Sequence, residues 1–300
     1  MQASLISLGA NLGNVRETMH AAKRLLQDTF GARNLTFSHL YKTPPVGGPA
    51  GQQEFLNAVA EVRSDRSVWE IWDSIKQVET SLGRQRLLRW EARRIDIDLL
   101  LVGQERIWTP HLKVPHPRMC MRSFVLKPAI EIAPLWVDPV TNWSLSQLNT
   151  HLDNSRDDGS VIRVLCENSD QLDLLRGAFN RTHESDRTRV AWEVGRPRQT
   201  PVSGTDPKSM KITDESKIKS KLTVATVASP DPMTVLWEDF SAPWAQWLNL
   251  SAPTIGMLPT RCPFTGPRYL MPTNDLQWAV HEIMAANQAM HSWIEKSEPF

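Results

Sequence analysis

The sequence has little cysteine: Cys120, Cys166 and Cys262 are the only three in 300 residues, far apart and with no Cys-x-x-Cys pair. That pattern excludes a disulfide framework and a thiolate zinc site, and it fits a reducing cytoplasm. No apolar run approaches the roughly 18 residues of a membrane span, and the N-terminus has no basic region leading into a long apolar one. We therefore expect no signal peptide, no membrane partner and a cytoplasmic protein. Formal net charge is only +1, so no surplus of either sign marks a general nucleic-acid or membrane-surface binder. Beyond residue 150 there is neither a Gly-x-x-x-x-Gly-Lys-Ser/Thr loop nor a Gly-x-Gly-x-x-Gly fingerprint, which argues against a nucleotide site of either kind there. No internal repeat is visible.

What is present is local charge. From Gly83 to Leu101 five arginines (Arg84, Arg86, Arg89, Arg93, Arg94) lead into Asp96-Ile97-Asp98-Leu99 and further leucines. Side chains at i and i+2 of a strand share a face, so Asp96 and Asp98 point one way and Ile95, Ile97 and Leu99 the other. Carboxylates about 6–7 Å apart along a strand repel unless a cation lies between them. Hard oxygen ligands suit Mg²⁺, which takes one or two carboxylates plus substrate phosphates. Guanidiniums hold phosphate oxygens in pairs and keep their charge. The local reading is a Mg²⁺–polyphosphate site. A solvated Arg/Asp face is the alternative, but these carboxylates open an apolar strand, where burying them unpaired is costly.

Periodicity orders the first half as strand 3–9, helix 15–30, strand 35–41, strand 55–62, helix 68–82 and strand 95–102. This β-α-β-β-α-β order predicts an α+β, ferredoxin-like domain over residues 1–153. A short strand near Ile107 and a helix over 122–132 follow. Residues 149–160 are polar and turn-rich, the texture of a linker. Beyond them, strands at 161–166, 190–194, 222–228 and 269–271 alternate with helices at 171–179, 233–248 and 275–294. The pattern predicts a small parallel α/β domain over residues 161–300, with a mobile loop at about 195–221. Twelve tryptophans are many for this length; most are expected in cores or at the domain interface.

Four motifs in order carry a resemblance. They are Ile6-Ser7-Leu8-Gly9-Ala10-Asn11-Leu12-Gly13; Tyr41 to Gly47 with Phe55-Leu56-Asn57-Ala58; the Gly83–Leu101 segment; and Val114-Pro115-His116-Pro117-Arg118 with Arg122 to Leu126 and Glu131 to Pro134. Residues 3–150 resemble the 6-hydroxymethyl-7,8-dihydropterin pyrophosphokinases of folate biosynthesis. The resemblance implies pyrophosphoryl transfer from ATP to the pterin hydroxymethyl oxygen, releasing AMP. It implies two Mg²⁺ ions on Asp96 and Asp98, with Arg84 and Arg93 joining them in catalysis. ATP would be held by Glu79, Arg84, Arg86, Arg89, Trp90, Arg93, His116 and Arg122, and the pterin by Thr43, Pro44, Val46, Phe55, Asn57 and Phe124. An amide such as Asn57 offers both donor and acceptor to a ring edge.

Glu91-Ala92 replaces the Gly-Pro of the resembling pattern, setting a negative charge beside the expected polyphosphate. A non-catalytic pterin- or nucleotide-binding regulatory protein on the same scaffold is therefore the alternative function. The second half carries no catalytic motif and is read as a docking or stabilising domain, which could also support a homo-oligomer.

Overall fold

Alternating side chains from Gln2 to Ala10 build a strand buried on both faces, and the rest of the first half is layered around it. The architecture is seen in a computed structural model that describes residues 1–84, 92–109, 111–154, 161–166, 169–182, 189–194, 222–227, 268–272 and 275–300. In chain order the first elements are β1 (Gln2–Ala10), α1 (Val15–Phe30), β2 (Leu35–Phe37), β3 (Tyr41–Thr43), β4 (Phe55–Ser64), α2 (Val68–Ser81) and β5 (Asp96–Val102). Then come β6 (Ile107–Trp108), β7 (Lys113–Val114), α3 (Ser123–Ile132), β8 (Val137–Asp138), β9 (Trp143–Ser144) and α4 (Leu145–Asn154). The second half has β10 (Val161–Cys166), α5 (Ser169–Thr182), β11 (Arg189–Val194), β12 (Leu222–Val227), β13 (Arg268–Pro272), α6 (Leu276–His291) and β14 (Glu295–Lys296).

Local chemistry sets the helix ends. Asn14 accepts the Glu17 N–H at the start of α1, and Gly31, at φ 86°, closes it. Ser67 and Glu70 form a reciprocal capping box at the start of α2. The first sheet runs β14-β3-β4-β1-β5, with β2 also on β4, and its first-half pairs are antiparallel. This is the expected ferredoxin-like arrangement. One face carries Ile6, Leu8, Ala58, Ala60 and Ile97 against Met19, Leu26, Ile71 and Ile75 of α1 and α2. The opposite face carries Leu5, Val59 and Leu100 against α3. The second sheet, β11-β10-β12-β13, is parallel throughout, in keeping with the expected α/β layer.

Two local expectations need correction. The single strand read at 35–41 is two strands, because the chain leaves β4 after Ser38, at His39 and Leu40. The Ser38 hydroxyl accepts the Val59 N–H, while Leu40 exchanges backbone hydrogen bonds with Glu298 and Ser297. The linker read from Asn149 begins inside α4, whose Leu145, Leu148 and Leu152 recur at helical spacing and are fully buried. The expected 195–221 loop and 233–248 helix lie outside the described residues.

Packing continues across the expected boundary between 153 and 161. A single apolar cluster joins Leu5 and Val59 of the first sheet to Leu126 of α3, Leu148 of α4, Ile162 of β10, Leu175 of α5 and Ile283 and Met290 of α6. The chain then returns to the first sheet, where β14 pairs antiparallel with β3. Phe300 packs edge-on against Phe37, with Lys23 over both rings. Glu131 fastens this edge from α3: it accepts from the His39 ring and backbone, from the Tyr41 hydroxyl at 3.0 Å and from Lys296 at 3.1 Å.

Candidate active site

The face of the first sheet that carries α3 is not covered along its whole length. At one end Ser7 and Gly9 of β1, Asn57 of β4 and Asp96 and Asp98 of β5 open onto a cavity of about 110 Å³. Register explains the grouping: Gly9 lies opposite Asn57 on one side and Asp96 on the other, and Ser7 opposite Asp98. The pairing of β1 with β5 shifts after Leu5, which leaves Leu100 as the extra residue of a bulge. Its carbonyl accepts the His116 N–H at 2.8 Å, which brings that histidine beside Asp98.

The charged end is made by arginines converging on the two carboxylates. Asp96 lies between Arg84, at 2.5 Å, and Arg93. Asp98 faces Arg122 at 3.5 Å and His116 Nε2 at 3.6 Å. Arg93 is itself placed by Asn11, which is buried and exchanges two hydrogen bonds with the Arg93 backbone. The Asn11 amide also reaches Gln52 and the Gln53 carbonyl, tying the 44–54 loop to the same corner. His116 Nδ1 accepts the Arg118 N–H at 3.2 Å, so the network assigns its proton to Nε2, on the Asp98 side. Burial, then the charges of Arg122 and Arg118, hold this imidazole well below the usual histidine range, and it is neutral at pH 7.

The other end is apolar with one amide. Thr43, Pro44, Val46, Phe55, Asn57 and Phe124 all line the cavity, together with Arg93, Asp96, Asp98 and Arg122. Asn57 donates to Thr43 Oγ1 at 2.8 Å, which fixes which way its amide points. A β-carbon on Gly9 would stand 3.0 Å from Asn57 Oδ1, so glycine is what leaves the amide room. Arg122 stacks over the Phe124 ring, 5.6 Å from its centre, joining the two ends.

Glu79 stands behind the cavity as an anchor. It is buried, binds Arg84 and Lys76, and accepts the Ile97 N–H at 2.7 Å. Arg86, Arg89, Trp90 and Glu91 lie outside the described residues. Among the described residues, sequence reasoning missed Ser7, Gly9, Gln52, Arg118, Met121, Glu282, Ala285, Ala286 and Ala289 as cavity-lining groups. Gly9 sits inside a quoted motif, which was the usable signal; its place opposite both Asn57 and Asp96 is set by the strand register. No described helix is long and apolar enough to cross a membrane.

An antiparallel ferredoxin-like sheet, ending in paired carboxylates ringed by arginines and opening on a ring-sized apolar pocket, defines a phosphoryl-handling class of site. The chain belongs to the 7,8-dihydro-6-hydroxymethylpterin-pyrophosphokinase (HPPK) family, whose profile matches residues 5–134. It is similar to the 2-amino-4-hydroxy-6-hydroxymethyldihydropteridine pyrophosphokinase of Haemophilus influenzae, 35% identical over 164 residues, 55% of this chain and 99% of that protein. The Pseudomonas aeruginosa protein of the same name is 37% identical over 134 residues, 45% of this chain and 82% of the relative. Among solved structures, a Plasmodium falciparum HPPK-DHPS covers 61% of this chain and 54% of its own, at 13% identity and a TM-score of 0.40. A likeness that loose carries no argument.

Proposed function

We propose that this chain is a pyrophosphokinase of folate biosynthesis, moving the pyrophosphoryl group of ATP to the hydroxymethyl oxygen of 6-hydroxymethyl-7,8-dihydropterin. The observation that carries the reading is the meeting, in one cavity, of Asn57, Phe55 and Phe124 with Asp96 and Asp98 among arginines. In the reaction a bond forms from the hydroxymethyl oxygen to the β-phosphorus. The bond from that phosphorus to the α-phosphate bridging oxygen breaks, AMP leaves and the hydroxyl proton is released. Most of the catalysis is alignment and charge neutralisation.

The donor set fits magnesium. Two hard carboxylates stand at strand spacing, and among the described residues no set of three or more Asp, Glu, His or Cys is arranged to hold a metal by itself. That suits a cation that completes its shell with water and phosphate oxygens. Asp96 and Asp98 would hold the two ions, which when bound supply charge neutralisation on the phosphates. Arg84, Arg93 and Arg122 turn from the carboxylates to the phosphate oxygens as ATP enters. By the family resemblance Arg86, Arg89 and Trp90 also serve ATP binding, and Glu79 holds Arg84 in line. His116, neutral, offers an N–H donor without adding charge. Phe55 and Phe124 stack the pterin, Asn57 reads its donor–acceptor edge, and Thr43, Pro44 and Val46 close the pocket around it. Such a protein works where ATP and reduced pterins are found, the cytoplasm.

The test is AMP release from ATP with magnesium, with and without 6-hydroxymethyl-7,8-dihydropterin. Pterin-dependent AMP release is expected. A chain that binds both compounds and releases no AMP would instead be the regulatory protein on this scaffold.

A further inference from the structure

Helix α6 lies far beyond residues 5–134, yet it walls the cavity. Glu282, Ala285, Ala286 and Ala289 face into it from one side of the helix. Glu282 is 1% exposed and grips Arg118 with both oxygens, at 2.6 Å to Nε and 2.7 Å to Nη2. A carboxylate taken so far from water needs such a partner, and this one fixes the guanidinium at the edge of the space that Arg122 and Met121 also line. The three alanines present only methyl groups, which leaves the space open where larger side chains would fill it. Two further contacts run from the same helix to the apolar end. Gln288 accepts the Gly47 N–H at 2.9 Å in the loop that carries Pro44 and Val46. The Met290 carbonyl accepts from Ser123, one residue before Phe124.

We infer that α6 is the fourth wall of the pterin pocket, with Ala285, Ala286 and Ala289 setting its width and Glu282 a positioning residue that holds Arg118 against it. The inference rests on the pterin reading of the cavity. It assigns the second half of the chain a share in recognising one substrate and not the other. The wall touches the pterin end at Gly47 of the loop and at Ser123 beside Phe124, while among the described residues every ion pair to Asp96 comes from before 134.

Full-length Ala286→Leu and the isosteric Glu282→Gln test it, with thermal melting to confirm that each folds. Affinity for 6-hydroxymethyl-7,8-dihydropterin is measured by titration calorimetry with a non-hydrolysable ATP analogue present, and KM for each substrate from AMP release. Ala286→Leu should weaken pterin binding at least 10-fold and Glu282→Gln about 5-fold, each leaving the ATP KM within 2-fold. Glu282→Asp should recover part of the Glu282→Gln loss. A folded Glu282→Gln with unchanged pterin affinity, or with equal losses for pterin and ATP, would overturn the proposal. Because calorimetry reads binding without turnover, an unaltered chain that binds pterin but releases no AMP would sink the pyrophosphokinase reading and leave the wall standing. An unaltered chain that binds no pterin would overturn both.

Discussion

The two ends of the cavity differ in origin. The charged end is assembled within residues 5–134, by register on β1 and β5 and by Arg84, Arg93 and Arg122 from the same stretch. The apolar end takes three walls from the same stretch and its fourth from α6, some 150 residues later. Charges can be placed by short-range sequence, because strand alternation and a few turns fix their spacing. A pocket for a flat ring needs surfaces on both sides, and here the last surface is delivered by tertiary packing. The chemistry is local while the fit is not.

The sharpest way to break that comparison is at the charged end. Asp96→Ala and Asp98→Ala should each lower kcat by about 10²–10⁴-fold while the fold survives, since charge stabilisation of this kind is worth several kcal/mol. Neither should alter pterin affinity much, and single-turnover AMP release beside calorimetry would separate the two. Near-normal turnover in either variant would remove the metal assignment.

At the apolar end, Asn57→Ala should weaken pterin binding by roughly 1–3 kcal/mol and spare ATP. Gly9→Ala is the subtler probe of the same amide. Its methyl would press on Asn57 Oδ1 at 3.0 Å, and the amide can yield only by leaving its bond to Thr43. A loss of about 1 kcal/mol in pterin affinity is expected. Unchanged affinity in both variants would mean that the ring lies elsewhere.

The smallest effect lies away from the cavity, where β14 is fastened to β3. Burial, then the hydrogen bond and charge of Glu131, push the Tyr41 hydroxyl up to about 12. The unfolded chain loses this proton near pH 10, so the Tyr41 contribution is complete below pH 10 and is lost between 10 and 12. Glu131 behaves in the opposite sense. Burial alone would raise its carboxyl, but the hydrogen bonds from His39, Lys296 and Tyr41 outweigh that and lower it. Its contribution is complete above the ordinary carboxylate range and is lost as pH falls through the folded value. Tyr41→Phe should cost about 1 kcal/mol at pH 8, and the deficit should shrink by pH 11. Urea melts of both proteins at the two pH values would show it. A deficit that stays constant would place the hydroxyl outside this network.

Much of this was legible in the sequence, for physical reasons that can be named. Asp-Ile-Asp declares its faces by a period of two, and the ferredoxin-like order follows from two clean helices between alternating strands. Less legible was anything that depended on a distant partner. Residues 38–40 read as strand, but His39 bonds to Glu131 and Leu40 to residues 297 and 298. Residues 149–154 read as linker because their polarity hid Leu148 and Leu152, which finish a stripe begun at Leu145. Ala279, Ile283, Ala286 and Met290 of α6 recur at helical spacing on one buried face, and Glu282 lies on that face. A carboxylate on an inward face has to be paired, and that was the one clue that this helix reaches a site.

The pairing of β3 with β14 also has a consequence for biosynthesis. Residue 43 leaves the ribosome some 250 residues before residue 295 does. At ordinary elongation rates of 5–20 residues per second the outer edge of β3 waits about 10–50 s for its neighbour. Throughout that interval a strand edge and the Phe37 side chain stand uncovered, the kind of surface on which nascent chains stick to one another. Chaperone engagement of ribosome-bound chains should therefore persist until β14 has been made, long after the residues that do the chemistry.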